Sequence, residues 1–369
     1  MINNIKSNLQ DSNKRILCLI DSLGPGGAQR QLVGLSVCLK ESGYKITVAF
    51  YHENLFFAEH LKNIGVPYLF LSKARKSAFR IWHVARYTRH AKPDVVISYL
   101  ETPSICACMA KLFNRSFKLI VSERNTTQHT GWKEQIRFTL FRLADFVVSN
   151  SYSQEAYLRV AFPKLADKIV TIPNFVDLEY FIPPKICHRN KVPEVMVAAT
   201  IWPSKNTLGF IDALALMKSK GIVFHVSWYG ASADYSDYLE QCMNKIEQFG
   251  LADYIVLKEK TEKILECYQN ADIFCLPSFY EGTPNVICEA MACGLPILCS
   301  DVCDNARYVI DGENGYLFNP KNTESIVAAF EKIFSLGEEN YGLFCCNSLS
   351  MARNKFSKKS FVNAYMSLL

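Results

Sequence analysis

The sequence lacks the patterns of membrane-spanning, secreted and zinc-binding proteins. No uninterrupted apolar run approaches the roughly 18 residues of a spanning helix, and residues 1–14 are polar, without the apolar core of a signal peptide. The 14 cysteines include no Cys-x-x-Cys, and the seven histidines show no ligand spacing, so we do not expect zinc. These absences predict a cytoplasmic protein in which most cysteines, such as Cys275, Cys288 and Cys293, are reduced core residues.

Two motifs that hold phosphates through a metal or a dinucleotide fold are also missing. No Asp-x-Asp occurs, so we do not expect a divalent metal on a phosphate. The first glycine-rich turn, Gly24-Pro25-Gly26-Gly27, is not G-x-G-x-x-G, and no acidic residue suited to a nicotinamide ribose is evident after Lys45–Tyr51. The sequence therefore predicts neither a metal nor another cofactor. Gly26 and Gly27 still allow the backbone to approach a phosphate closely, and a plain tight turn is the alternative.

What the chain does contain is enough apolar residue for two domains and an uneven distribution of charge. Of its 369 residues, 49% are hydrophobic and 21% charged, as in globular proteins. Met1–Tyr180 carries 24 Lys and Arg against 14 Asp and Glu, a net charge of +10, whereas the remainder carries 17 against 21, or −4. This asymmetry predicts an anionic partner for the first half: nucleic acid, anionic lipid, or an acceptor with phosphate.

The basic residues concentrate in Lys73–Lys92, which has seven Lys and Arg and no acid, with Phe79 and Trp82 among them. Basic amphipathic helices of this kind lie on membrane surfaces. The alternative is a helix that packs on its own sheet and exposes a solvated basic face.

Short apolar runs alternate with helical patterns along the whole chain, which predicts doubly wound α/β domains. The first half contains predicted strands at residues 15–21, 45–51, 68–72, 94–100, 118–123 and 145–150, and the second half at 194–200, 223–230, 254–259, 271–277 and 295–300. Thr171–Asp177 and the proline-containing run after it are typical of a linker. We therefore expect domains at residues 1–172 and 173–352, with a C-terminal helix of about residues 353–369 that crosses back to the first domain.

The stretch Pro277–Pro296, PSFYEGTPNVICEAMACGLP, has the strongest chemical signal. It follows a predicted buried strand, and Asn285 is predicted to cap a helix Val286–Cys293 that stops at Gly294. A helix N-terminus at the carboxyl end of a parallel strand is suited to a phosphate. Glu281 and Glu289 would repel a phosphate, so we expect them to bind neutral hydroxyls, a combination that suits a nucleotide sugar. The alternative is a helix-capping loop with two surface glutamates.

The run P-S-x-x-E-G-x-P-N-x-x-x-E-A-M-A-C-G-x-P resembles the signature of retaining glycosyltransferases of family 4 (glycosyl transferases group 1), whose members have the GT-B fold. That fold has two Rossmann-like doubly wound domains that face each other across a cleft. The resemblance implies that Glu281 contacts the donor sugar, that Glu289 contacts the ribose, and that the backbone of one loop holds the diphosphate: Gly282, Thr283, Pro284, Asn285, Val286 and Ile287.

The resemblance extends over residues 15–369 and implies further site residues. Lys205 resembles the family lysine that neutralises the leaving diphosphate, and a solvated lysine is the alternative. Gly26 and Gly27 resemble the turn that faces the diphosphate from the first domain. Many members have an acceptor-side histidine, for which the candidates here are Glu123, Arg124 and His129.

One position departs from the family pattern. The arginine that precedes the family lysine by five residues is Thr200 in this sequence. Arg30 and Arg124 of the first domain are the candidates to replace its charge.

By this resemblance the chain is an enzyme, a hexosyltransferase that retains the anomeric configuration. It would transfer a sugar from a nucleotide diphosphate sugar, in our expectation a UDP-sugar, to an acceptor hydroxyl. A lipid-linked saccharide of bacterial surface polysaccharide or lipopolysaccharide assembly suits the basic half, and implies a peripheral location on the inner face of the cell membrane. A nucleotide-sugar epimerase of the same fold and a non-catalytic basic binding protein are the alternatives. We expect no nucleic acid, because no strand interleaves aromatic and basic residues.

Overall fold

The computed structural model describes residues 13–71, 77–124, 127, 129–185, 189–232 and 236–369. The chain divides into two compact units. Unit 1 comprises Met1–Asn174 with Lys359–Leu369, and unit 2 comprises Phe175–Lys358. The first strand of unit 2 therefore comes only after the chain has completed the sheet of unit 1, and the last residues return to unit 1.

Unit 1 has a parallel sheet of seven strands in the order β3-β2-β1-β4-β5-β6-β7. The strands are β1 (Arg15–Leu19), β2 (Lys45–Phe50), β3 (Tyr68–Phe70), β4 (Val95–Tyr99), β5 (Lys118–Glu123), β6 (Phe146–Ser149) and β7 (Ile169–Thr171). The α-helices between them are Gly27–Glu41, Ala58–Ile64, Ser77–Ala91, Glu101–Phe113, Trp132–Phe141 and Tyr152–Ala161. Strand residues on both faces are buried because helices cover both sides of the sheet.

Helix Lys358–Met366 packs into unit 1 through buried Phe361, Val362 and Tyr365. The hydroxyl of Tyr365, which is 0% exposed, lies 2.8 Å from the hydroxyl of Tyr99 at the carboxyl end of β4. Lys118 Nζ donates to the carbonyl oxygens of the last two residues, at 3.1 and 2.8 Å. The C-terminal segment is thus an integral part of the first unit.

Unit 2 has a parallel sheet of six strands in the order β10-β9-β8-β11-β12-β13. The strands are β8 (Glu194–Ala198), β9 (His225–Ala231), β10 (Ile255–Glu259), β11 (Ile273–Leu276), β12 (Ile297–Ser300) and β13 (Gly315–Phe318). The α-helices are Thr207–Ser219, Ser236–Gln248, Ile264–Asn270, Asn285–Ala292, Thr323–Phe334 and Glu338–Lys355. The strand order reverses between β8 and β11, and open α/β sheets bind ligands at the carboxyl ends of strands on either side of such a point.

The buried cysteines behave as core residues, as predicted. Cys275, Cys288 and Cys293 are at most 2% exposed, and all cysteines of the described residues are free thiols. Burial raises the pKa of the Cys18 and Cys108 thiols to about 12. Such thiols stay protonated and unreactive at neutral pH.

Helix Ser77–Ala91 covers most of the basic segment, and residues 72–76, with Lys73, Arg75 and Lys76, lie outside the described residues. Val84 is buried in the core. Phe79 and Trp82 instead are 57% and 52% exposed. The two aromatic side chains therefore do not hold the helix on its sheet. None of the described helices is both long and apolar enough to cross a membrane.

Candidate functional site

Lys205 and Glu281 form an ion pair in unit 2, with Lys205 Nζ 2.5 Å from Glu281 Oε1. Lys205 follows β8 and Glu281 follows β11, two parallel strands that are neighbours in the sheet. Because the carboxyl ends of parallel strands meet at one edge, these two loops converge. Sequence reasoning predicted both residues, and the structure brings them together. Their side chains are 25% and 12% exposed, so the pair is accessible but largely shielded.

The two loops are also joined through the backbone. The amide of Phe279 donates to the carbonyl of Ser204 at 2.9 Å. Asn206 holds a left-handed conformation, with φ 58°, and its side-chain amide donates to the carbonyl of Pro320 at 2.7 Å. Left-handed φ is tolerated better by asparagine than by most residues. These contacts fix the direction in which Lys205 leaves the backbone.

The helix after Glu281 begins one residue earlier than predicted. It spans Asn285–Ala292, and Pro284 is its N-cap, so Asn285 is the first helical residue and not the cap. The reason is that the carbonyl of Pro284 accepts the amides of Ile287 and Cys288, at 3.1 and 3.3 Å. Gly294, with φ 79°, follows the helix as predicted.

Only some residues of the predicted diphosphate loop have a backbone amide that can donate to a ligand. The amide of Ile287 is used within the helix, and Pro284 has no amide hydrogen. Thr283 and Ile287 are buried, whereas Gly282, Asn285 and Val286 are partly exposed. The amide of Val286, the second helical residue, has no carbonyl of a preceding turn to reach, so Val286 is the member of this turn best placed to donate to a ligand.

Glu289 is 5% exposed and accepts a hydrogen bond from the hydroxyl of Tyr268 at 3.0 Å. Tyr268 is 0% exposed and lies on helix Ile264–Asn270, where sequence reasoning did not single it out. Its only sequence signal is its place four residues before the buried Asp272, in a pattern that also suits an ordinary core aromatic. Glu289 is therefore a buried carboxylate whose direction is set by a second helix.

Gly26 and Gly27 lie in unit 1, after the carboxyl end of β1. Gly26 is the N-cap of helix Gly27–Glu41 and has no side chain with which to cap it. A Cβ at Gly26 would lie 2.0 Å from Oε1 of Gln29, whose amide donates to Asp21 at 3.0 Å. Both glycines are partly or fully exposed, so the turn is open to a ligand of unit 1.

Glu123, at the end of β5, is 2% exposed and 3.9 Å from the guanidinium of Arg137. Arg137 is also buried, and it donates to Glu101 at 2.9 Å and to Thr127 at 2.8 Å. Sequence reasoning missed Arg137, because an arginine within an amphipathic helix resembles a surface residue. Glu123 is therefore a buried partner of Arg137 and not an exposed acceptor-side residue.

Arg124 is held by other groups of unit 1. Its guanidinium donates to Asn174 at 2.6 Å and to the hydroxyl of Tyr365 at 2.9 Å, and it stacks 4.0 Å above the ring of Tyr99. These contacts tie the end of β5 to the C-terminal helix. His129, the third acceptor-side candidate, is exposed.

Two further observations bear on the phosphate site. Thr200, where the family has arginine, is partly exposed after β8, and Arg30 is exposed on helix Gly27–Glu41. Among the described residues, no group of three or more His, Cys, Asp or Glu side chains is arranged to hold a metal ion.

Two family models match the chain, one in each half. The model described as Glycosyltransferase Family 4 matches residues 25–180, and the model described as Glycosyl transferases group 1 matches residues 181–341. The second match contains Lys205, Glu281 and Glu289.

Curated relatives are bacterial glycosyltransferases at low identity. The amylovoran biosynthesis glycosyltransferase AmsD of Erwinia amylovora is 22% identical over 328 residues, which cover 87% of this chain and 90% of that protein. An α-1,4-N-acetyl-D-galactosaminyltransferase of Campylobacter jejuni, whose name includes a diNAcBac-PP-undecaprenol saccharide, is 23% identical over 341 residues, 89% of this chain and 90% of the relative.

Solved structures share the fold over nearly the whole chain. A glycosyltransferase of Rickettsia africae superposes with a TM-score of 0.84 at 17% identity and covers 96% of this chain and 97% of its own. HepE of Anabaena in complex with UDP gives a TM-score of 0.83 at 18% identity, with 96% and 98% covered. The predicted fold class, two Rossmann-like parallel α/β domains of the GT-B type, is confirmed.

Proposed function

From the two family models, which indicate a GT-B glycosyltransferase of group 1, we propose that this chain is a retaining hexosyltransferase. Its donor is a UDP-sugar, and its acceptor is a hydroxyl of a lipid-linked saccharide in bacterial surface polysaccharide biosynthesis. The UDP complex of HepE supports the choice of nucleotide. The undecaprenol saccharide in the name of the Campylobacter relative supports the choice of acceptor.

The observation that carries the proposal is the ion pair between Lys205 and Glu281 at the carboxyl edge of the sheet. A lone lysine there would suit any phosphate, and a lone glutamate any hydroxyl. A nucleotide sugar places a diphosphate directly beside a hydroxyl-bearing ring, so one ligand engages both side chains. On binding, Lys205 turns to the diphosphate and Glu281 to the sugar.

The chemistry follows from that placement. The bond between the anomeric carbon and the diphosphate oxygen breaks, and negative charge grows on the departing UDP. Lys205 and the amide of Val286 stabilise this charge, which is usually the largest single contribution to catalysis. The acceptor oxygen bonds to the anomeric carbon on the same face, and its proton passes to the leaving phosphate oxygen. Configuration is retained, and no metal is required.

Unit 1 supplies the surface for a lipid-linked acceptor. Helix Ser77–Ala91 exposes Phe79 and Trp82 together with Arg86 and Arg89. Aromatic side chains at the headgroup level and cations near anionic lipids favour an amphipathic helix in the plane of a bilayer. We propose that the protein is peripheral on the inner face of the cell membrane.

The test is a turnover assay by mass spectrometry. Purified protein is incubated with a panel of nucleotide sugars, with and without undecaprenyl-diphosphate-linked saccharides, and with excess EDTA in parallel. We expect UDP and an extended saccharide only where donor and acceptor are both present, with EDTA having no effect. NMR of the product should show the anomeric configuration of the donor.

Three results would contradict the proposal. A new nucleotide sugar formed without acceptor identifies an epimerase, and a donor that binds without being consumed identifies a binding protein. Activity that is lost with EDTA and restored by magnesium or manganese would exclude the metal-free phosphate site.

A further inference from the structure

A pocket of about 770 Å³ lies in unit 2, and neither Lys205 nor Glu281 lines it. Its floor is one face of strands β8, β9 and β10, and its wall includes helix Ile264–Asn270. Glu194 and His225, on the floor, begin β8 and β9. Lys258 of β10 is in register with Tyr229 of β9, and through it with Ala198 at the end of β8. Since neighbouring strands lie about 4.8 Å apart, β10 is roughly 10 Å across the sheet from β8, the strand that leads to Lys205. Its volume falls in the range of small-molecule sites.

The pocket exists because this sheet face is polar. On the opposite face Val195, Val226, Trp228 and Ile255 are buried in the core of unit 2. Side chains alternate between the faces of a strand, so the intervening residues of β9, His225, Ser227 and Tyr229, point to the pocket together with Lys258 of β10.

The floor residues form a connected hydrogen-bond network. Both carboxylate oxygens of Glu194 are engaged, one by His225 Nδ1 at 2.6 Å and one by the hydroxyl of Ser227 at 2.5 Å. Lys258 Nζ donates to Ser227 at 3.0 Å and lies 3.4 Å from the hydroxyl of Tyr229. The network fixes these side chains before any ligand arrives, and such preorganisation lowers the cost of binding.

The network leaves positive charge without a carboxylate partner. In the part of the chain that the structure describes, Lys258 forms no ion pair, and its two neighbours are neutral hydroxyls. Two exposed lysines, Lys191 and Lys263, also line the pocket. Its acids are Glu194 and the exposed Glu266. An ammonium has three donors, so Lys258 has one left for a ligand. A partly buried cation held by neutral groups favours an anionic ligand.

We propose that this pocket is a second binding site for a small ligand that carries an oxyanion, such as a phosphate, with Lys258 as its principal contact. The helix that walls the pocket also carries Tyr268, which donates to Glu289. A ligand in the pocket therefore contacts the element that orients Glu289. The site does not depend on the function proposed above, because its residues are separate from Lys205, Glu281 and Glu289.

The test uses Met196, a buried methionine of β8 that lines the pocket, as a local reporter. Full-length protein is labelled with ¹³C-methyl methionine, the Met196 signal is identified by Met196→Leu, and inorganic phosphate is titrated at constant ionic strength. We expect a saturable shift of the Met196 signal with phosphate and none with chloride or with neutral glucose.

Variants separate this pocket from the rest of unit 2. Lys258→Gln should weaken phosphate binding about tenfold or more, because a hydrogen bond to a charged group is lost, whereas Lys258→Arg should retain it. Lys260→Gln is the matched control, since it removes the same charge from an exposed position two residues on that does not line the pocket. Lys205→Ala should leave the Met196 titration unchanged.

Each result either supports the second binding site or overturns it. Loss of the shift in Lys258→Gln alone, with the remaining methionine signals unmoved, supports the site and shows that the variant is folded. An unmoved Met196 signal in the wild type, or equal weakening by Lys260→Gln, means that this face is only solvated. Weakening by Lys205→Ala, or displacement of phosphate from Met196 by equimolar UDP, means that the pocket belongs to the donor site, and overturns the proposal.

Discussion

Lys205 and Glu281 neutralise each other while the proposed donor is absent, which makes a glutamate compatible with the proposed diphosphate site beside it. Their side chains are 25% and 12% exposed, and an ion pair that water still reaches contributes only up to about 1 kcal/mol. A diphosphate carries more charge than one carboxylate, so it competes for Lys205 effectively. Glu281 is then released towards the sugar hydroxyls.

Lys205→Ala should lower the transfer rate by about 10²–10³, as expected when one preorganised donor to the leaving group is removed. The measurement is kcat with saturating donor and acceptor. Lys220→Ala is the control, because it removes an exposed lysine that pairs with Glu331 on the surface of the same unit. A wild-type rate in Lys205→Ala would remove this lysine from the mechanism.

Substitutions at Tyr268 and Glu289 should change donor affinity, whereas substitution of Glu281 should change the turnover rate. Glu289→Ala should weaken donor binding, and Tyr268→Phe should weaken it about tenfold at most, since the carboxylate stays but one hydrogen bond of about 1 kcal/mol is lost. Glu281→Ala should instead lower kcat, because the sugar is the part that changes in the transition state. Calorimetry with UDP-sugar decides this, and unchanged affinity in Glu289→Ala would refute the ribose assignment.

Among single residues, the sequence predicts candidate site residues more readily than it predicts the side chains that form hydrogen bonds or ion pairs with them. Matches to spaced family motifs predict Lys205, Glu281 and Glu289 as site residues. Tyr268 and Arg137 could not be found, because a buried polar contact between two distant helices leaves no local pattern. The contacts of the acceptor-side candidates Glu123 and Arg124 were missed for the same reason: Glu123 pairs with Arg137, and Arg124 donates to Tyr365.

At the scale of elements, Gly230 is the second-last residue of β9 and has a φ of 149°. A Cβ there would lie 1.9 Å from the carbonyl oxygen of Ala199, in the loop that leads to Lys205. Gly230→Ala should therefore destabilise unit 2 by about 3 kcal/mol or more, since neither backbone can move without breaking the sheet. Chemical denaturation followed by far-UV circular dichroism would measure the change in the free energy of unfolding.

Gly342→Ala is the matched control for that substitution. Gly342 is exposed inside helix Glu338–Lys355, and a Cβ there meets nothing within 4 Å. The same chemical change should stabilise the protein by about 0.5–1 kcal/mol, because alanine favours a helix interior. Equal effects at both positions would show that the close approach at Gly230 is relieved elsewhere.

Most strands were predictable from short apolar runs, because both faces of a parallel sheet are buried; the short edge strands β7 and β13 were not among those predicted in this way. The ends were less certain, as at Asn285, where backbone hydrogen bonds to Pro284 move the helix start by one residue. Side-chain propensity favours asparagine as an N-cap, but it does not predict which carbonyl will accept the amides that follow. The sequence also did not show which apolar residues of helix Ser77–Ala91 would be buried: Val84 lies in the core, whereas Phe79 is exposed.

At the scale of the whole molecule, the two halves differ in charge, +10 for Met1–Tyr180 and −4 for the rest. The exposed basic and aromatic residues of helix Ser77–Ala91 belong to the positive half. Each basic residue close to an anionic leaflet contributes roughly 1 kcal/mol, so two productive contacts shift binding about thirtyfold. Salt should weaken this binding, because exposed charges are screened.

Arg86→Glu with Arg89→Glu should therefore abolish flotation with phosphatidylglycerol vesicles, which the wild type should show at low salt and much less at high salt. Lys62→Glu with Lys164→Glu is the control, because it changes the net charge of unit 1 equally at exposed positions outside this helix. Trp82→Ser should weaken flotation without any change of charge, since Trp82 is 52% exposed and has apolar surface to insert. If both charge pairs weaken flotation equally, the attraction comes from overall charge, and if the Arg86 and Arg89 pair floats like the wild type, the helix does not dock on the membrane.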